Sequence, residues 1–211
     1  MSTKTPVMGK AIKPAIENPE TILFDFISKY MTLSEEEKQA IIELDIFRIV
    51  KKDTVLLKAG QISNKSYSVL KGCLRVFYII DGEEKTTAFY TEMEGITPYC
   101  VINGQPSEYY ISTVENSIIA ATDTEMEASI FGKFPRFETL CRIISEQLLA
   151  KSQATFDEFK TSSPEQRYLN LLKTRPDLTQ RVPQHQLASF LGITPQALSR
   201  LRARIVRNKT D

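Results

Sequence analysis

Apolar residues recur at helical spacing over residues 20–30, where Ile22, Leu23, Phe26, Ile27 and Tyr30 fall on one face. A second short helix follows, to about Leu44. It is opened by Ser34 with Glu37 three positions on, a pair whose side chains each serve a free backbone N–H of the first turn. From Ile46 the period drops to two, with Phe47, Ile49 and Lys51 alternating with Ile46, Arg48 and Val50. Residues 54–58, 66–71, 74–80, 84–90, 109–114 and 117–122 read as further strands, with turn residues at Gly60, Lys71-Gly72 and Asp81-Gly82. Asp-Gly between two alternating runs is a strong hairpin signal. Strands at these intervals predict a small antiparallel barrel or roll.

Near Asp123 the pattern returns to helix. Thr124 is the expected N-cap of a helix to Gly132, with Glu127 as its partner, and Pro135 opens a long helix to about Lys160. Within it Phe137, Cys141 (with Leu140), Ile144, Leu148, Ser152, Thr155 and Phe159 step by threes and fours, giving one narrow apolar seam. Such a seam fits a helix lying across its own roll or one pairing with a second copy. A homodimer joined through Phe137, Cys141, Ile144, Leu148 and Thr155 is expected. Residues 161–166 are polar and begin another helix: Ser163 caps, Pro164 takes the first position, and Gln166 completes the box.

Charge sharpens this division. Residues 1–160 carry 18 Lys/Arg against 23 Asp/Glu, net −5, whereas residues 161–211 carry 9 against 3, net +6. A polyanion is drawn to the C-terminal segment and repelled by much of the rest. The expected organisation is an N-terminal arm over 1–19, a roll over 20–134, a long helix over 135–160 and a basic domain over 161–211. A hydrophobic content of 42% supports a packed core. No apolar run approaches the ~20 residues that cross a bilayer, and the Lys-containing start has no apolar signal segment, so a cytoplasmic protein without a membrane partner is expected.

Enzyme chemistry is disfavoured. Cys73, Cys100 and Cys141 are too few and too far apart for a disulfide framework or a Cys-x-x-Cys metal site. The single histidine, His185, argues against a His-rich metal centre or a His-based triad. A metal-binding roll enzyme is further disfavoured because residues 46–122 contain no histidine. No cofactor, metal or catalytic residue is expected. The aromatic residues Phe89, Tyr90, Tyr99, Tyr109 and Tyr110 leave open an apolar or aromatic small-molecule pocket, or simple core filling.

Residues 184–203 fit a helix-turn-helix position by position. Ala188 lets the two helices approach, Gly192 suits the left-handed turn, and Leu187, Leu191, Ile193, Leu198 and Leu201 fill the wedge. Thr194 is the expected cap of the second helix, with Pro195 at its first position. The outward face offers Gln196, Ser199, Arg200 and Ala203, with Arg202 and Arg204 to the sides. In this motif the second helix enters the major groove of double-stranded DNA. Arg200 suits a bidentate guanine contact and Gln196 an adenine, while Thr194 and Gln184 suit phosphates. A three-helix packing unit that touches no DNA, in a ligand-binding or protein-interaction protein, is the alternative.

Together these features resemble the Crp/Fnr family of transcription regulators over roughly residues 20–207. The resemblance is carried by Lys58-Ala59-Gly60, residues 67–76, Asp81-Gly82-Glu83-Glu84, and Gln196-Ala197-Leu198-Ser199-Arg200, which is similar to the family's E-x-x-S-R recognition segment. It implies an α+β fold: an antiparallel β-roll of cyclic-nucleotide-binding type (a double-stranded β-helix), a long dimerisation helix and a winged helix-turn-helix. It also implies an inverted-repeat operator and RNA polymerase as a partner. The sensory half departs from the family. The stretch 95–110 lacks the Gly-Glu pair that holds a ribose, and Ser107-Glu108 stand about where the phosphate-binding arginine belongs. A carboxylate there repels a phosphate, and no arginine lies between Arg75 and Arg136 to replace the missing cation. Cyclic AMP is therefore not the expected effector, three cysteines cannot supply four thiolates to an iron–sulfur cluster, and His185 is poorly placed as a haem ligand. In the recognition segment, Pro195 stands where many relatives carry an arginine and Gln196 replaces an acid, so a different site preference is expected.

Overall fold

The computed structural model describes residues 18–207, apart from the side chain of Val206. Most of the expected N-terminal arm and the last four residues lie outside this range. The chain opens with α1 (Pro19–Ile27), capped by Asn18, and α2 (Glu35–Glu43), where both halves of the box form: the Glu37 N–H donates to Ser34 Oγ (3.2 Å) and the Ser34 N–H to Glu37 Oε2 (2.8 Å).

Eight strands and one short helix follow: β1 (Phe47–Val50), β2 (Val55–Leu57), β3 (Lys65–Lys71), β4 (Leu74–Ile80), β5 (Glu83–Tyr90), β6 (Gly95–Ile96), α3 (Tyr99–Asn103), β7 (Tyr110–Thr113) and β8 (Ser117–Asp123). They form two four-stranded antiparallel sheets, ordered β1-β8-β3-β6 and β2-β7-β4-β5. The hairpin at Asp81-Gly82 forms as expected, with Ile80 opposite Glu83 and positive φ at both turn residues (53° and 78°), the twist that matches the flanking strands. Between the sheets Leu57, Tyr67, Val69, Leu74, Val76, Cys100, Ile111 and Ile119 are buried and fill the roll. A two-residue strand such as β6 is too short to leave a period in the sequence.

After the roll come α4 (Thr124–Lys133), α5 (Arg136–Thr161), α6 (Pro164–Thr174), α7 (Leu178–Arg181), α8 (Gln184–Phe190) and α9 (Pro195–Arg207). Asp123, not Thr124, caps α4: its Oδ1 accepts the Met126 N–H at 2.9 Å, because β8 stays extended through Asp123. Ser163 caps α6 as expected, but the Gln166 side chain turns along the helix to Asn170 instead of closing the box. A second core joins α1, α2 and α4 to the start of α5 through Ile27, Leu33, Ile41, Ile46, Ala120, Phe137 and Leu140. After Asp123 there is no strand among the described residues, so the wing implied by the resemblance is not formed within them. No helix among these residues is long and apolar enough to cross a membrane.

Candidate nucleic-acid interface

Helices α8 and α9 meet across a four-residue turn built as the sequence indicates. Leu187, Ala188, Leu191, Leu198 and Leu201 are buried in the wedge, with Ile193 packed beside them. Gly192 adopts φ +72°, and the Ile193 N–H reaches back to Ala188 O at 3.0 Å, which closes the turn. The Thr194 hydroxyl accepts the Ala197 N–H (3.2 Å) and so caps α9. Its own O–H proton remains available to a phosphate oxygen.

This wedge leaves one face of α9 uncovered. Gln196, Ser199, Arg200 and Ala203 are exposed along a single stripe, which Arg207 continues one turn further. The helix carries Arg200, Arg202, Arg204 and Arg207 and no acidic residue. Arg207 stands seven residues after Arg200, and helical spacing alone could have added it to the expected contacts. Arg202 is half-buried, while Gln184 and His185 are exposed at the start of α8. Arg204 is engaged elsewhere, in an ion pair with Glu165 of α6.

Much of the C-terminal positive charge is likewise turned inward. Arg181 donates to Gly72 O (2.7 Å), Glu92 (2.8 Å), Glu115 (2.6 Å) and Asp177 (3.1 Å). Arg175 bonds Phe89 O, Thr91 and Glu94 at 3.1–3.2 Å. Arg167 donates to Ser162 O (2.7 Å) and Leu191 O (2.8 Å), with its guanidinium 4.4 Å from the Phe159 ring centre. The Glu92 hydrogen bonds raise the Arg181 pKa against the effect of burial. Burial pushes Glu92 upward, but the Arg181 contact and the Gly72 N–H outweigh it and hold the carboxyl below its usual range. The positive surface of the C-terminal part is therefore smaller than its composition suggests, and it centres on α9.

The long-helix seam divides. Phe137 is buried in its own chain's core with Ile144 half-buried against it, so Phe137 cannot meet a second copy, and Leu148 is also half-buried. Cys141 and Thr155 are exposed, with the Thr155 hydroxyl bonded back to Lys151 O. The apolar residues turned outward include Leu149 (70% exposed) and Phe156 (57%), one heptad apart, and Phe159 is partly exposed beyond them. The five aromatics do not share a pocket. Phe89 leaves the roll to pack on Phe190 (5.3 Å), Tyr110 stacks on Phe77 (5.1 Å), and Tyr109 leans on Tyr78 and accepts the Tyr99 N–H. In the cassette stretch, buried Ser107 bonds its own neighbours, donating from its hydroxyl to Tyr109 O (2.9 Å), while Glu108 is exposed.

The chain's fold, an antiparallel roll followed by a long helix and a helix-turn-helix, is similar to that of solved structures. Three solved structures show the likeness. A mutant of CooA from Carboxydothermus hydrogenoformans superposes with a TM-score of 0.65 at 17% identity, covering 88% of this chain and 84% of that one. CLP of Xanthomonas campestris, described as a c-di-GMP responsive global regulator, gives 0.63 at 14% identity, with 83% and 93% covered. FixK2 of Bradyrhizobium japonicum gives 0.62 at 12% identity, with 77% and 85% covered. At these identities the likeness is one of fold. No protein-family model and no curated protein matches the sequence.

Proposed function

We propose that this chain is a transcription regulator that binds double-stranded DNA sequence-specifically as a homodimer. The observation that carries the proposal is the outward stripe of α9, acid-free, pinned by a leucine wedge and occupied by Gln196, Ser199 and Arg200. These are side-chain types that read base edges in the major groove, with Arg200 suited to guanine and Gln196 to adenine. Thr194, Gln184 and Arg202 are assigned to the sugar–phosphate backbone. Two copies paired through the outward side of α5, at Cys141, Leu149, Thr155 and Phe156, present two recognition helices to half-sites about 34 Å apart, an inverted repeat. The fold likeness to known regulators supports the general role. An effector is not assigned.

Arg200→Ala tests the reading. Loss of discrimination at one base pair per half-site, worth about 1–3 kcal/mol, is the expected result. Equal weakening on every sequence would place Arg200 at a phosphate and remove the main support for sequence reading.

A further inference from the structure

The helix-turn-helix does not hang from the hinge alone, because its first helix is seated on the roll. The Ser189 hydroxyl of α8 accepts the Thr86 N–H of β5 (2.9 Å) and donates to Glu84 O (3.1 Å). Beneath them Arg75, 3% exposed, donates to Thr86 Oγ1 (2.8 Å) and Glu84 Oε2 (2.6 Å), so the receiving strand is itself braced from inside the roll. Beside this seat, Cys73, Phe89 and Val114 of the roll share one buried cluster with Tyr168, Leu178 and Leu187 of the helical part.

Two arginines close the edges. Arg181 gathers Glu92, Glu115 and the Gly72 carbonyl, which come from three separate connections of the roll. Arg175, at the end of α6, reaches Glu94, which also binds Lys151 of α5, so one carboxylate ties the roll, the long helix and the C-terminal helical part together. The stripe on α9 takes no part in these contacts and stays exposed. An arginine bonded to several carboxylates and a carbonyl is geometrically specific, and the apolar cluster behind it resists sliding.

We infer that this joint is a positioning device: Arg181, Arg175 and Ser189 hold the recognition helix at one fixed angle on the roll, so operator binding needs no small-molecule effector. The inference deepens the proposed DNA-reading role and rests on it for its second arm. Arg181 acts through the position of α9, without touching DNA.

The test uses the full-length chain. Lys160 and Thr161 lie at the end of α5 just before the polar hinge, and trypsin cutting there reports how often the helix-turn-helix leaves its seat. The Arg181→Gln protein is expected to be cut after Lys160 at least tenfold faster than wild type. Its operator affinity should fall about tenfold with unchanged base preferences, and Arg181→Lys should recover part of both losses. Ser189→Ala, a milder change for the case in which Arg181→Gln does not fold, is expected to move both readouts in the same direction. Wild-type cutting rates in Arg181→Gln and Ser189→Ala would overturn the joint. Operator binding by wild type only after a small-molecule cell extract is added would overturn its effector-independent role. If cutting rates separate as expected but no variant, nor wild type, selects a DNA sequence, the DNA-reading proposal fails and the joint is packing alone.

Discussion

Gly192→Ala probes the turn on which the recognition helix depends, and its magnitude follows from local geometry. At φ +72° an alanine meets the steric penalty of left-handed backbone, about 1–2 kcal/mol. Its new Cβ would lie 3.3 Å from Phe159 Cζ and 3.5 Å from Arg167 Nη2. That is a close contact with the rim of a ring that is 47% exposed and can give way, so it adds little. The reduced freedom of the unfolded chain offsets roughly 0.4–1 kcal/mol. The net expectation is a loss of about 1 kcal/mol. Gly132→Ala in α4 is the matched control. Its φ is not positive, nothing lies within 4 Å of the added carbon, and the helix should gain about 0.5–1 kcal/mol. The two substitutions, chemically identical, therefore have opposite signs and differ by about 2 kcal/mol. Equilibrium urea unfolding followed by far-ultraviolet circular dichroism resolves this, provided protein concentration is fixed, because the stability of the proposed dimer would depend on it. A Gly192→Ala protein as stable as wild type would refute the account of the turn.

Further outcomes follow from the same geometry. Leu198→Ala, at a side chain with 0% exposure, should cost about 2–5 kcal/mol and lower the thermal midpoint by several degrees in scanning calorimetry. Arg204→Ala removes an exposed ion pair with Glu165, so stability should change by less than about 1 kcal/mol in urea unfolding, and base preferences measured by selection should not move. Cys73, whose thiol burial pushes up to about 12, should stay unreactive to a disulfide reagent in the native protein, whereas Cys141 should label in dilute solution and become protected as concentration drives dimer formation. The Glu37 carboxyl is held below its usual value of 4.5, first by the Arg136 hydrogen bonds, against the opposing effect of burial. A depressed folded pKa contributes stability that is complete above the unfolded value and lost as pH falls through the folded one. Acid titration of stability should therefore be steeper for wild type than for Glu37→Gln over roughly pH 5 to 3.

What the residues announce and what they conceal follow different physics. The Ser34 box, the Ser163 cap, the Asp81-Gly82 hairpin and the Ala188–Gly192–Thr194 turn are set by backbone needs within a few residues, and each forms at its expected place. At Asp123-Thr124 two cap-forming side chains are adjacent, and only the length of β8 decides between them. The partner of the α5 seam is not legible in the sequence, because helical spacing marks an apolar face without saying what covers it. Phe137 is covered by α1, α2 and α4, while the outward side is marked by Leu149 and Phe156. Net charge misled in a similar way. Nothing near Arg181 in the sequence shows that Glu92 and Glu115 will surround it, so a cation that counts toward DNA in the composition is spent inside the molecule. Phe89 alternates like a core residue, yet its ring leaves the roll to meet Phe190.

Selection of genome fragments by the purified full-length chain, repeated at two salt concentrations, tests the central claim most directly. The predicted result is recovery of an inverted repeat whose half-sites lie one helical turn apart, about 10–10.5 base pairs, retained at the higher salt and blurred at one position in Arg200→Ala. Recovery of unrelated fragments alone, lost as salt rises, would show a basic surface without sequence reading and contradict it.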